Sequence, residues 1–333
     1  YGSMVPSTGY LQIFDLFFYD PGFILLYPHV EEPFKLPTFK DLPKLARVFK
    51  EAEEWAAIMD VSDVGGLNDK VESGEIRDII LVNEALHEKK IANIADKIYA
   101  RKDELKIVLI AGPSSSGKTT FAERLAIQLR VLGLKPYPLS LDDYFVDREN
   151  TPKDEEGHYD FESIRALDLE LFNKHLTALL QGETIELPQF NFITGLREWN
   201  GKKYKMEPDS ILLIEGIHGL NEVLTSSIPR QNKYKIYISA LTQLNIDKHN
   251  RIPTTDARLI RRIVRDYKYR GRSAEATILG WPRVRAGEEK NIFPFQEEAD
   301  IMFNSELVYE MCILKKYAEP LLQEIPADSP ASL

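Results

Sequence analysis

Gly112, Gly117, Lys118 and Thr119 stand at the fixed positions of G-x-x-x-x-G-K-[ST], inside the run Ile107-Val-Leu-Ile-Ala-Gly-Pro-Ser-Ser-Ser-Gly-Lys-Thr-Thr120. Glycine at both ends lets the backbone curl so that successive N–H groups point inward, and a helix starting at Lys118 adds the positive end of its dipole. The loop formed by Gly112, Pro113, Ser114, Ser115, Ser116, Gly117, Lys118, Thr119 and Thr120 is therefore a cradle for a triphosphate, with ATP the expected donor. Lys118 would bridge the outer phosphates and the Thr119 hydroxyl would bind Mg²⁺, so charge gathering during phosphoryl transfer meets groups already in place.

Three further constellations fit such a loop. Ser140-Leu-Asp-Asp-Tyr-Phe145 follows an apolar strand pattern, and a carboxylate there can take a proton from an attacking hydroxyl, an effect of about 10²- to 10⁴-fold. Asp142 lies nearest the strand end and is the expected base, with Asp143 as the alternative. Ile211-Leu-Leu-Ile-Glu-Gly216 ends an apolar run in Glu215, placed to hold Mg²⁺ with Thr119. The run from Asp256 to Arg272 carries seven Lys/Arg against two Asp, a local net of +5 in a chain of net −10. Within it Arg258, Arg261 and Arg265 share one helical face, and their forks match phosphate oxygens in pairs. That face reads as a catalytic lid over the transferred group, or as a solvated basic face touching RNA.

Aromatic stretches supply the acceptor side. Gly157-His-Tyr-Asp-Phe161 and Pro188-Gln-Phe-Asn-Phe-Ile-Thr194 combine rings with single polar groups, as a flat base or sugar needs. They suit a small hydrophobic core equally well.

Elements that could position these groups follow from periodicity. Expected strands at 106–111, 137–141, 211–215 and 234–239 alternate with helices at 118–131, 168–181, 256–269 and 307–323, which predicts a parallel sheet covered on both faces. Ligands bind beyond the carboxyl ends of such strands. Ahead of this lie a hairpin (11–18 and 23–27, turning at Tyr19-Asp-Pro-Gly22), a helix capped by Asp41 and a longer one through Ile76–Ile98, closed by the charged joint Arg101-Lys-Asp-Glu104. The division expected is 1–100, a small α+β and helical region, and 101–333, an α/β kinase domain.

A chain of 333 residues with 44% apolar content suits about two domains. An excess of 52 acidic over 42 basic residues argues against general nucleic-acid or membrane-surface binding. The lone cysteine, Cys312, fits a reducing compartment, and six scattered histidines without H-x-x-x-H spacing argue against zinc. Long apolar runs are absent, so the cytoplasm is expected. The abrupt opening in Tyr-Gly-Ser-Met-Val-Pro suggests the later part of a longer protein.

Taken in order, GPSSSGKTT, SLDDYF, HYDFES, PQFNF, LLIEG and DARLIRRIVRDYKYRGR resemble the uridine kinase and phosphoribulokinase family of P-loop kinases, over roughly residues 104–325. The resemblance implies that Asp142 is the catalytic base, Asp160 grips ribose hydroxyls, Phe190 packs on the base and Arg258 with its neighbours forms the lid, which makes Asp142, Tyr144, Tyr159, Asp160, Phe190 and Arg258 the candidate substrate contacts. Where uridine/cytidine kinases place a tyrosine and then a histidine near the pyrimidine, this chain has Phe190 and Gly195. About residues 1–30 resemble the end of the additional editing domain of threonyl-tRNA synthetases, with Met4 where that motif has a histidine. Such a front would lack editing chemistry, and it resembles the fusion found in bacterial uridine kinase-like proteins.

The expected activity is ATP- and Mg²⁺-dependent phosphorylation of a nucleoside 5′-hydroxyl, most simply of uridine or cytidine. Another small alcohol, such as a sugar phosphate, is the alternative acceptor. An ATP-switched RNA-binding module, with tRNA reached through the front, is the alternative of another class. A homo-oligomer is compatible with the sequence.

Overall fold

Alternating aromatic and aliphatic residues build the first pair of elements: β1 (Asp15–Tyr19) and β2 (Gly22–Leu26) run antiparallel, with Phe17 opposite Ile24. The computed structural model describes residues 5–20, 22–30, 32–207 and 210–332. The turn expected at Tyr19-Asp-Pro-Gly22 depends on Pro21, and the comparison of the front with editing domains depends on Met4; both lie outside the described residues. Asp41, expected to cap the next helix, accepts a hydrogen bond from Tyr19 Oη at 2.7 Å.

Two compact units divide between Pro43 and Lys44, well ahead of the boundary expected near 100. Helices α1 (Pro43–Met59), α2 (Val64–Glu72) and α3 (Ile76–Tyr99) thus lead into the larger unit. The reason is apolar burial. Ile91, Ile94 and Ile98 of α3 share one core cluster with Val108 and Ile110, and the charged joint at 101–104 is a tight turn closed by Leu105 N–H to Arg101 O at 2.9 Å. A charge run on a turn reads like a linker in sequence but does not separate cores.

Beyond the turn come β3 (Ile107–Ala111), α4 (Lys118–Val131), β4 (Lys135–Ser140), α5 (Leu169–Leu180), β5 (Thr184–Asn191), β6 (Leu196–Lys205), β7 (Ser210–Glu215), β8 (Lys233–Ser239), α6 (Thr254–Arg270), α7 (Ala274–Asn291), β9 (Ile301–Asn304) and α8 (Glu310–Gln323). Among the described residues five strands form one parallel sheet in the order β4-β7-β3-β8-β9. Side chains alternate across it, as strand geometry requires. Val108 and Ile110 face α3 and α4, while Ile107 and Leu109 face α5 and the β5–β6 hairpin. Both faces are covered, the architecture expected of this pattern.

Register places the chemistry. Glu215 pairs with Ile110 on one side and with Ser140 on the other, so the ends of β3, β4 and β7 lie at one level. The loop after Ala111, the acids after Ser140 and Glu215 itself must therefore meet at one edge of the sheet.

Candidate active site

The loop takes the strained path its glycines foretell. Gly117 has φ +82°, and Ser115 is left-handed at φ +60°. A Cβ on Gly112 would stand 2.2 Å from Ile238 O, so only glycine fits there. Ser115 Oγ and Ser116 Oγ are buried with no hydrogen-bond partner among the described residues. A curled, glycine-hinged loop with unsatisfied hydroxyls and a lysine at its helix start fits a polyphosphate.

Lys118 Nζ donates to Pro113 O at 3.2 Å. Burial pulls its ammonium below the usual range, while Glu215 and Asp142 pull the other way. Glu215 accepts from Ser140 Oγ at 2.9 Å and from Thr119 Oγ1 at 3.3 Å. Burial and the nearby Asp142 raise its carboxyl above the usual range. A divalent cation would relieve the penalty on Glu215 and a polyphosphate the one on Lys118, and the paired hydroxyl and carboxylate of Thr119 and Glu215 are hard oxygen donors of the kind Mg²⁺ takes.

Two cavities meet at this edge. The first, about 540 Å³, is lined by Ser115, Gly117, Lys118, Thr119, Thr120 and Glu215, with a wall from α3. The second, about 530 Å³, is lined by Phe145, Phe161, Phe190, Phe192, Glu162 and Arg148 among others. Lys118, Asp142, Arg265 and Arg270 line both. The candidate base and the loop lysine thus stand where the two meet, the first being the candidate donor cavity and the second the candidate acceptor cavity.

The basic helix divides its labour. Arg258 is sealed in, 2% exposed, paired with the fully buried Glu288; its Nε donates to Ser114 O at 3.0 Å. Glu288 in turn accepts from Ser114 N–H at 3.0 Å. Arg258 therefore braces the loop from behind and lines neither cavity, contrary to its expected place in the lid and on the substrate. Arg261 pairs with Glu310, donates to Ser115 O at 3.3 Å and lines the donor cavity alone. Arg265, held by Asp266 at 2.7 Å, reaches both cavities. Arg270, absent from the expected set, stands 4.0 Å from Asp142 Oδ2 and 4.2 Å over the Phe192 ring.

Other expectations part in the same way. Phe190 lines the acceptor cavity and stacks near Phe145 and Phe192, ring centroids 5.5 and 5.2 Å away. Asp143 accepts from Phe190 N–H at 3.4 Å, and burial raises its carboxyl above the usual range; it supports the hairpin while Asp142 lines the cavities. Tyr144 is fully buried, bonded through its hydroxyl to His175 Nδ1 at 3.1 Å, and does not reach the acceptor space. Tyr159 and Asp160 line a neighbouring cavity of about 940 Å³ that shares Phe161, Glu162, Arg262 and Arg272 with the acceptor cavity.

Gly195 is bare for a steric reason. A Cβ there would stand 2.6 Å from Arg148 Nε, and Arg148 is fixed by donating to Phe192 O at 2.9 Å. An arginine fills the room a side chain at 195 would need. Glu162, also missed in the sequence although it sits in HYDFES, keeps Oε2 buried without a partner among the described residues. Burial lifts its carboxyl to about 7, opposed by Arg262.

A parallel sheet with this loop, a lysine at a helix start and an acid across the cleft defines a P-loop kinase. The family model described as "Phosphoribulokinase / Uridine kinase family" matches residues 107–309, and the chain belongs to that family. It is a phosphotransferase that acts on an alcohol. A uridine kinase of Chloroflexus aurantiacus is 30% identical over 59% of this chain and 85% of its own. One of Halobacterium salinarum is 29% identical over 58% of this chain and 77% of its own. Among solved structures, a D-glycerate 3-kinase of Cryptococcus neoformans aligns at 13% identity with TM-score 0.42, over 65% of this chain and 92% of that one. No helix among the described residues is long and apolar enough to cross a membrane.

Proposed function

We propose that this chain moves the γ-phosphoryl group of ATP to the 5′-hydroxyl of a nucleoside, uridine or cytidine first among them. The observation that carries the reading is the shared junction: Asp142 and Lys118 line both the donor and the acceptor cavity. Loop N–H groups and Lys118 hold the phosphates, and Thr119 with Glu215 would hold Mg²⁺. That ion, when bound, draws charge from the outer phosphates. Asp142 accepts the proton of the acceptor hydroxyl, Arg265 and Arg270 face the charge that develops, and the phenylalanine walls keep water out. Uridine kinases among the relatives support a nucleoside as the acceptor.

A second reading, a phosphorylated sugar as acceptor, draws on one feature. Arg148, Arg262, Arg265, Arg270 and Arg272 all line the acceptor cavity, more positive charge than a neutral nucleoside needs. Incubating the protein with Mg·ATP and a panel of nucleosides and sugar phosphates, with products read by mass, tests both. Phosphorylated uridine or cytidine supports the first reading; turnover of a sugar phosphate with no nucleoside product replaces it with the second. Asp142→Asn separates a kinase from an ATP-switched RNA-binding module: in a kinase it abolishes turnover and spares ATP affinity.

A further inference from the structure

We infer that α3, which lies wholly outside the residues shared with the family, forms the wall that receives the base of the donor nucleotide. The inference rests on the kinase reading above and adds to it where the base is recognised. Glu84, His87 and Ile91 line the donor cavity, while the family match begins at residue 107. They stand at i, i+3 and i+7, on one face of α3. That face is fixed to the loop's surroundings. Asn83 Oδ1 accepts from Val308 N–H at 2.9 Å, His87 Nε2 donates to Glu306 O at 2.9 Å, and Glu84 accepts from Tyr309 Oη at 3.1 Å.

The direction of the nucleotide follows from which residues the two cavities share. Transfer has to occur at their junction, beside Lys118, Asp142, Arg265 and Arg270. A triphosphate with its outer end there and its inner phosphates on the loop directs its nucleoside into the unshared part of the donor cavity. That part is lined by α3 together with Phe121, Arg124, Phe303, Leu307 and Glu310, with the Arg124 guanidinium engaged by Glu88 of α3.

Chemistry narrows the base. Burial lowers His87 to about 4, so at neutral pH the ring is uncharged; with Nε2 as donor, Nδ1 is left as an acceptor. Glu84 offers a second acceptor, and Ile91, Phe121 and Phe303 an apolar floor. Two acceptors over an apolar surface suit a base that presents an amino group, as adenine does, and disfavour one with a carbonyl at that place.

Calorimetric titration of the full chain, with Mg²⁺ throughout, tests this with ATP, inosine triphosphate and inorganic tripolyphosphate as ligands. Glu84 is exposed, so Glu84→Ala should fold. The expected result is ATP binding weakened about fivefold or more, tripolyphosphate unchanged within twofold, and a wild-type preference for ATP over inosine triphosphate that shrinks in the variant. Unchanged ATP affinity would overturn the inference, as would an equal loss for ATP and tripolyphosphate, since α3 would then only support the loop. Equal wild-type affinity for ATP and inosine triphosphate would overturn the choice of base. A wild-type chain that binds tripolyphosphate but no ATP would defeat the kinase reading and this inference together.

Discussion

Arg258 and Glu288 form an ion pair closed to solvent, and its two members grip the two backbone polar groups of one residue, Ser114. The carbonyl takes the guanidinium and the N–H takes the carboxylate. A buried pair is costly to assemble and costlier to break, because the survivor is left charged in a low dielectric. Glu288→Gln is expected to lower stability by about 3 kcal/mol, measured by denaturant melts. Arg258→Met with Glu288→Leu should regain much of that stability, yet ATP affinity measured by calorimetry should stay low, because Ser114 loses both braces.

Gly112→Ala tests the cradle itself. Its Cβ would lie 2.2 Å from Ile238 O and 2.8 Å from Ser116 Oγ, so backbone has to move. A loss of about 1–3 kcal/mol is expected from overpacking, read as a lower melting temperature, along with ATP binding too weak to titrate.

Arg270 faces Asp142 across the junction of the two cavities. An arginine that meets transition-state charge contributes on the order of 10³-fold or more to the rate. Arg270→Gln should therefore depress kcat by about that factor while ATP affinity changes little, as steady-state kinetics and calorimetry would show.

Glu162 gives a pH signature. Its carboxyl is raised from 4.5 to about 7 by burial, so the folded chain holds this proton more tightly than the unfolded one. Its contribution to stability is then full below about pH 4.5 and is lost as pH rises through about 7. Glu162→Gln abolishes that loss. Melting temperatures of the two proteins should coincide near pH 4, below the unfolded value of 4.5, and separate toward about pH 8, with the variant higher; parallel curves would refute the assignment.

Local pattern made the reaction edge legible. A strand that must be buried on both faces is apolar along its length, so the runs 107–111 and 211–214 stand out, and whatever follows them lies at the sheet's carboxyl edge. Glu288 gave no such signal. It lies 174 residues from the Ser114 N–H it holds, in a helix whose internal Gly280 and Pro282 read as breaks. Pro188 and Gly201 likewise masked the β5–β6 hairpin. Arg148 was hidden because its meaning depends on a missing side chain at Gly195. Arg258 misled for the converse reason: it shares a face with residues that do line a cavity, and periodicity cannot say which member of a face is covered from above.

Helix α3 carries a practical corollary for anyone trimming the gene to the borders of the kinase family. Ile91, Ile94 and Ile98 are at most 2% exposed, seated on β3 and α4. A product starting at residue 101 would leave that greasy flank of the sheet bare to water, inviting self-association, and would drop Glu84 and His87 along with it. Loss of solubility in such a truncation would be a matter of packing and would say nothing against the chemistry of the catalytic edge.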